Sequence, residues 1–485
     1  MYYRKTSIWG TIDWLIVLLY IVMVSAGWLS ICGASYEYDN ISLFNPSGRP
    51  GSQLIWIGLS FLIIFVILML DADFYSVFGY LIYGAVILLL IATIFLAPDI
   101  KGSRSWLVIG SLRIQPAEFA KFATALALAK FMGSYGFKLG TFKNFGLCLG
   151  IIFFPMLCIL LQKETGSALV YLAFFLVLYR EGMSGYILLA GISAVVFFVV
   201  GLKYSDVMVG VTPLGELLVL CLIQAGALLL TAIVVVRQRP NLQMKILLGG
   251  ITAAVYLAAY IVSLFIPVNF ALVSMGLIGI SCCYLVFLSV KQWVGHYVMI
   301  ALFALLSIGF LYSVDYVFDE VLEPHQQMRI KVSLGLEDDP SGAGYNVNQS
   351  IIAIGSGGLT GKGFLNGTQT KLKYVPEQDT DFIFCTVGEE QGFTGSTVVL
   401  LLFTVLIIRL IMLSEKQKTI FGRIYGYCVA SIFFFHLLIN IGMVIGITPV
   451  IGIPLPFFSY GGSSLWGFTI LLFVFLRIDA TRKER

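Results

Sequence analysis

The chain has 485 residues, of which 59% are hydrophobic and 12% charged, and its formal net charge is +4. Its mean hydropathy is +0.95, which excludes a water-soluble globular domain. The apolar runs are continuous rather than alternating, which excludes a transmembrane β-barrel, and no basic cluster points to a nucleic-acid partner. What remains is an all-α, polytopic helical membrane protein.

In chain order, the first apolar run follows a basic start and reads as a retained span over 14–32 rather than a cleaved signal peptide. Further runs long enough for the ~30 Å hydrocarbon layer follow. They cover 54–70, 76–97, 117–133, 146–162, 167–180, 184–202, 215–236, 246–266, 269–290, 297–313, 392–414, 424–446 and 464–478. That makes fourteen spans and places both termini on one side. With the termini in the cytoplasm, the cytoplasmic turns hold Arg4, Lys5, Lys138, Lys143, Arg180, Arg237, Arg239, Lys245, Lys291, Lys416, Lys418 and Arg423, and the tail holds Arg477, Arg482, Lys483 and Arg485. This satisfies the positive-inside rule, and only the turn with Asp71 and Asp73 lacks a base. The reading divides the chain into a membrane core over 1–183 with an outer loop at 98–116, membrane helices over 184–313, a large outer loop over 314–391, and a second core over 392–485 with a re-entrant Pro/Gly segment at 447–463. No soluble domain or internal repeat is apparent.

The eight cysteines lie mostly inside apolar runs without a CxxC pair and read as small buried hydrophobes. The three histidines, His296, His325 and His436, are too scattered for a zinc site. In the loop at 98–116, Lys101, Arg104 and Arg113 run against the charge rule. They suit either lipid headgroups or an anionic ligand such as a phosphate, which arginine binds bidentately. Glu118 and Lys121 lie i,i+3 on one helix face inside a span, as a structural pair or as the lining of a polar cavity. Gln162, Lys163 and Glu164 form a tight turn. The large loop carries Arg329, Lys331 and the acids Glu337, Asp338 and Asp339, then "NVNQSIIAIGSGGLTGKG", whose mixed apolar and glycine character suits a packed element better than a tether. Asp379, Asp381, Glu389 and Glu390 precede a span, where acids are costly and often functional. Pro449, Pro454, Pro456, Gly461 and Gly462 break the apolar run near the end, which is tolerated only where protein or a cavity covers the backbone.

Three segments, "GSRSWLVIGSLRIQPAEFAKF", "GAGYNVNQSIIAIGSGGLTGKGFLNGTQTKLKYVPEQDTDFIF" and "NIGMVIGITPVIGIPLPFFSYGGSS", resemble in the same order the motifs of the SEDS family of RodA, FtsW and SpoVE. The "GTQ" and "PLPFFSYGGSS" details lean towards its RodA branch. The resemblance implies a peptidoglycan glycosyltransferase that polymerises lipid II into β-1,4 strands with inversion, undecaprenyl pyrophosphate leaving, for cell elongation and shape. The family's essential acid maps to Asp339, as general base for the acceptor hydroxyl. Arg104, Trp106, Gln115, Arg329, Lys331, Gln349 and Lys362 are then the candidate substrate-binding residues, with Arg104, Arg329 and Lys331 opposite the leaving-group charge. Glu118, Lys121, Glu164, Asp381 and Ser459 shape the cavity. A divalent cation (Mg or Mn) is the expected cofactor. A class B penicillin-binding protein transpeptidase and membrane lipids are the expected partners, and the bacterial cytoplasmic membrane, with the active site facing outside, the expected location.

The chain departs from the family pattern in three places. The family has about ten spans against the fourteen counted here, the excess falling in 184–313. "QKETG" replaces "QPDLG", putting Glu164 near the acid's place, and Asp379 stands where a histidine is common. A transporter of lipid II and a pure transpeptidase scaffold are the rival readings. The clustering of polar segments on the outer side rather than at the midplane argues against the first, and a scaffold has no need of Asp339.

Overall fold

The computed structural model describes residues 8–36, 44–100, 102–110, 112–238, 242–322, 324–337 and 344–484. The chain forms two compact units. One comprises Met1–Met183 with Asp339–Arg485, the other Ser184–Asp338. The segment expected as one large loop over 314–391 is thus shared between them, and its described parts are mostly helical.

In the first unit a short α1 (Ile8–Thr11) leads into α2 (Trp14–Ser35), α3 (Arg49–Met69) and α4 (Ala72–Leu96). Asp13 caps α2 by accepting from the Ile16 amide at 3.3 Å, and its other oxygen takes the Arg409 guanidinium at 2.6 Å, so one carboxylate both starts a helix and ties it to the C-terminal half. An antiparallel hairpin, β1 (Leu107–Ile109) and β2 (Leu112–Ile114), pairs Val108 with Arg113 and runs into α5 (Pro116–Met132). Helix α5 is buried nearly all round, and Ala117, Ala120, Ala123, Ala125, Ala127 and Ala129 are among its buried residues. Small side chains let neighbouring backbones approach, and α5 packs against α4, against α6 (Phe142–Leu161), and against two later helices. After a turn come α7 (Thr165–Leu169), a 3₁₀ turn at Val170–Ala173 and α8 (Phe174–Arg180).

The second unit holds α9 (Gly185–Lys203), a hairpin of β3 (Met208–Val209) with β4 (Thr212–Pro213), α10 (Leu214–Gln238), α11 (Leu242–Ser263), α12 (Phe270–Gln292), α13 (Gly295–Tyr316) and α14 (Pro324–Leu334). Its core joins Val219, Leu220 and Ile223 of α10 to Ile278 of α12 and Ile300 and Ala304 of α13.

The first unit resumes with α15 (Tyr345–Ser356), α16 (Thr368–Lys371), α17 (Ile383–Glu415), α18 (Ile420–Val444) and α19 (Gly462–Glu484). Each of the fourteen sequence-predicted spans falls on helical residues. Eleven described helices have the length and hydropathy to cross a bilayer. The other three predicted spans fall on α5, on the broken Thr165–Arg180 stretch and on α11, of which Thr252–Ser263 is a short apolar helix. The protein is a polytopic helical membrane protein.

Candidate functional site

The site begins with a helix that breaks on purpose. Within α17, Gly392 takes φ 67° and ψ −159°, a conformation essentially restricted to glycine. The kink separates the amides of Phe393 and Thr394 from their helical acceptors, and they donate instead to the carbonyls of Gly358 (2.9 Å) and Leu359 (3.1 Å). In return the Glu389 and Glu390 carbonyls accept from the amides of Lys362 (3.0 Å) and Gly363 (2.9 Å). The glycine-rich "GSGGLTGKG" stretch is therefore the second strand of a backbone splint around the kink. A methyl group at Gly392 would collide with the Gly361 amide nitrogen. Gly392→Ala is expected to cost about 1–3 kcal/mol from the backbone alone. Gly146→Ala, a position with nothing within 4 Å of an added Cβ, is the matched control, and thermal unfolding in detergent compares the two. Equal midpoints would refute the splint.

Just before the kink, Glu389 is wholly buried and heavily solvated by protein. Its Oε1 accepts from Lys362 Nζ (2.7 Å) and from the amides of Thr368 (2.8 Å) and Gln369 (2.9 Å), and Oε2 accepts from the Thr370 amide (2.9 Å). Neighbouring Glu390, also buried, takes the Leu365 amide at 3.1 Å, and its carboxylate lies where any side chain at Gly33 of α2 would collide.

A second chain of polar contacts joins the other two motif segments. Ser463, at the start of α19, accepts from the Gln115 amide (3.1 Å) and donates to the Arg113 carbonyl (3.3 Å). Three residues on, Glu118 pairs with Lys121 at 2.8 Å, both buried. Lys121 Nζ also lies 3.0 Å from His436 Nε2 on α18, and 4.7 Å from the centre of the Phe468 ring. His436 Nδ1 lies 3.1 Å from the Pro454 carbonyl. Asn440, one turn further along α18, donates to the carbonyls of Ile453 (2.7 Å) and Asp381 (2.8 Å). Ser459 donates to the Thr380 carbonyl (2.6 Å) and accepts from the Leu455 amide (2.8 Å), and the Tyr460 amide donates to the Asp379 carbonyl (2.8 Å). The proline-broken segment, which has no helical partners of its own, is thus stitched on one side to α18 and on the other to residues 379–381. That is how irregular backbone survives inside a membrane protein.

Glu164, at the turn between α6 and α7, accepts from Ser105 (2.9 Å) and Ser103 (3.0 Å), while the Arg104 amide donates to the Gln162 carbonyl (3.0 Å). Burial pushes the Glu164 carboxyl above the usual range, and the two serine hydroxyls oppose that shift. Asp379, in the family's histidine position, is buried and ion-paired with Arg49 at the start of α3. The two line a cavity of about 680 Å³ together with Tyr36, Lys373, Glu377 and Gln378, within the range of small-molecule sites.

The structure therefore gathers most of the expected residues into the first unit. Gln115, Glu118 and Lys121 share one network with Asp381 and Ser459, and Glu164 holds the loop that carries Arg104 and Trp106. Lys362 is held by the buried Glu389, and Gln349 lies on α15. Arg104 is exposed and Trp106 half-buried. Arg329 and Lys331 belong to α14 of the second unit, where Lys331 pairs with Glu337 at 3.6 Å. Asp339, its neighbour Asp338 and Lys101 lie outside the described residues. Among the described residues, no cluster of three or more His, Cys, Asp or Glu side chains is placed to hold a metal ion. Sequence reasoning missed Arg49, His436 and Asn440. His436 and Asn440 are polar residues set in an apolar run at i,i+4, a spacing that puts both on one helix face.

Eleven helices among the described residues with the length and hydropathy to cross a bilayer, charges paired among them and irregular segments held by their side chains define an integral membrane protein with a polar site assembled among its helices. The chain belongs to the SEDS family, that of FtsW, RodA and SpoVE, described as cell cycle proteins, which matches residues 13–212 and 215–484. It is 30% identical to the peptidoglycan glycosyltransferase RodA of Treponema pallidum, over 96% of this chain and 97% of that protein. It is 29% identical to the peptidoglycan glycosyltransferase MrdB of Escherichia coli K12, over 90% and 88%. It is also similar in fold to a chain from a solved peptidoglycan synthase complex that coordinates polymerization and crosslinking, with TM-score 0.61, 24% identity and coverage of 97% and 98%. The RodA structure from Thermus thermophilus gives TM-score 0.54 at 21% identity, over 98% of each chain.

Proposed function

We infer that the chain is a peptidoglycan glycosyltransferase, polymerising lipid II into β-1,4-linked strands for cell elongation. The observation that carries this reading is the nearly full-length similarity to proteins named as peptidoglycan glycosyltransferases, combined with the convergence of the three motif segments on one polar network. In the reaction the acceptor sugar hydroxyl attacks the donor's anomeric carbon. The new C–O bond forms as the bond to the pyrophosphate oxygen breaks, with inversion from α to β. Asp339 takes the hydroxyl proton, as a positioned carboxylate can, and Arg104 is a candidate to meet the charge that develops on the pyrophosphate.

A divalent cation would be held by carboxylates together with the substrate's phosphates, as Mg²⁺ commonly is; among the described residues no group of three or more His, Cys, Asp or Glu is placed for one. No step above depends on it. The charge distribution supports cytoplasmic termini and a site facing outside. The likeness to a chain from a complex that coordinates polymerization and crosslinking supports a transpeptidase partner, here a class B penicillin-binding protein.

The test is strand synthesis from purified lipid II with the cognate transpeptidase and a divalent cation. Wild type and Asp338→Asn are expected to make polymer. Asp339→Asn is expected to lose at least two orders of magnitude in rate, the scale of general-base removal. Normal polymerisation by Asp339→Asn would refute the assignment.

A further inference from the structure

We propose that His436 is a positioning residue: a neutral imidazole locked in its Nδ1–H tautomer, through which the buried Glu118–Lys121 pair holds the proline-broken segment in register with residues 379–381. The role for strand synthesis rests on the function proposed above, whereas the tautomer does not.

The chemistry follows from donors and acceptors. Lys121 Nζ stands 2.8 Å from Glu118 Oε2 and 3.0 Å from His436 Nε2. An ammonium group has three hydrogens and no lone pair, so it can only donate. Nε2 must then offer its lone pair, which leaves the ring proton on Nδ1. Nδ1 faces the Pro454 carbonyl at 3.1 Å, which can only accept. Each atom in the chain carboxylate, ammonium, imidazole, carbonyl finds a complementary partner in this one tautomer. The other neutral tautomer sets an N–H against the ammonium and a lone pair against a carbonyl oxygen, and the imidazolium sets two cationic donors against each other in a site with almost no solvent. The groups packed on the ring are consistent with this. Among the described residues its charged neighbours are Lys121 and, behind it, Glu118 on α5, while α19 presents the Phe468 ring edge-on at 4.7 Å.

The consequence for the site lies in what Pro454 belongs to. A proline has no amide hydrogen, and the run Pro454–Pro456 offers few donors to hold itself. Its neighbours Ile453 and Ser459 are tied through Asn440 and through the Thr380 carbonyl to the segment that bears Asp379 and Asp381. The His436 contact adds a tie to α5, where Gln115 also meets Ser463. Removing it leaves the Pro454 carbonyl without that donor and frees one side of the segment.

Three histidines in the chain make the direct test tractable. With ¹⁵N-labelled histidine in the detergent-solubilised full chain, NMR is expected to show one imidazole in the Nδ1–H form that does not titrate between about pH 5 and 8, the window in which an ordinary histidine changes charge. His436→Gln identifies it by its disappearance, and in Lys121→Met, where the Pro454 carbonyl still accepts from Nδ1–H but no cation faces Nε2, it should begin to titrate in that window. An Nε2–H tautomer, or ordinary titration, overturns the lock. In strand synthesis, His436→Phe is expected to lower kcat on the order of ten- to a hundredfold with KM little changed, as misplacement of a site does. His436→Gln, which can accept from Lys121 and donate to Pro454, should recover most of that loss. Equal rates for wild type and His436→Phe, or equal losses for Phe and Gln, overturn the positioning role. If His436→Phe does not fold, the Gln variant and the spectrum still decide.

Discussion

Glu389→Ala is expected to be among the most damaging single changes in the first unit. The substitution leaves Lys362 beside a vacated anionic site and takes their acceptor from the amides of Thr368, Gln369 and Thr370. Lys362 keeps a quarter of its side chain exposed, so the cost falls mainly on the three amides, on the order of 1–3 kcal/mol for each one left stranded in the interior and roughly 3–9 kcal/mol together, unless water reaches them. Against a total stability of roughly 5–15 kcal/mol for a typical domain, the lower end of that range is enough to unfold the segment that splints the α17 kink. Glu389→Gln keeps one acceptor oxygen but places an NH₂ among donors, so it should fall between wild type and alanine. Thermal unfolding in detergent checks the order. An alanine variant within 1 kcal/mol of wild type would mean that the carboxylate is not the organiser of residues 362–370.

Lys121→Met is the second large effect. It leaves the Glu118 carboxylate buried without its cation, at a cost of about 3–5 kcal/mol. The informative measurement is the double mutant. Glu118→Leu with Lys121→Met replaces both charges by apolar groups, and buried pairs replaced in this way are often neutral in stability. The double variant is therefore expected to recover most of the lost stability without recovering strand synthesis, because His436 still lacks the ammonium that fixes its ring. Single-variant costs that simply add would show that the two side chains do not act as a pair.

Fold class was legible from composition and run length, since a run of ~20 apolar residues has one stable fate in a bilayer, and all fourteen runs fall on helical residues. The limits of α17 were less legible. The apolar run begins at Gly392, whereas the helix begins at Ile383, because its first turns carry Glu389 and Glu390, whose polarity hides them from hydropathy. The segment 314–391 read as one loop because its residues are polar, yet it contains α14, α15 and α16 and is divided between two units. Hydropathy reports what faces lipid and is silent on polar helices packed within protein.

The candidate site was legible where residue types are chemically committed. Glu118 and Lys121 were paired by helical spacing alone, and the structure has them 2.8 Å apart. Asp379 was noticed as one of four acids ahead of a span and as a departure from a pattern, but its partner Arg49 lies 330 residues away. His436 drew attention only as one of three scattered histidines. Helical periodicity is local, so the amino-acid sequence by itself determined the class of protein, its helices and the pairs within a helix. Which buried donor meets which buried acceptor across hundreds of residues was decided by tertiary packing, because only the assembled helices remove water and make an unpaired polar atom costly.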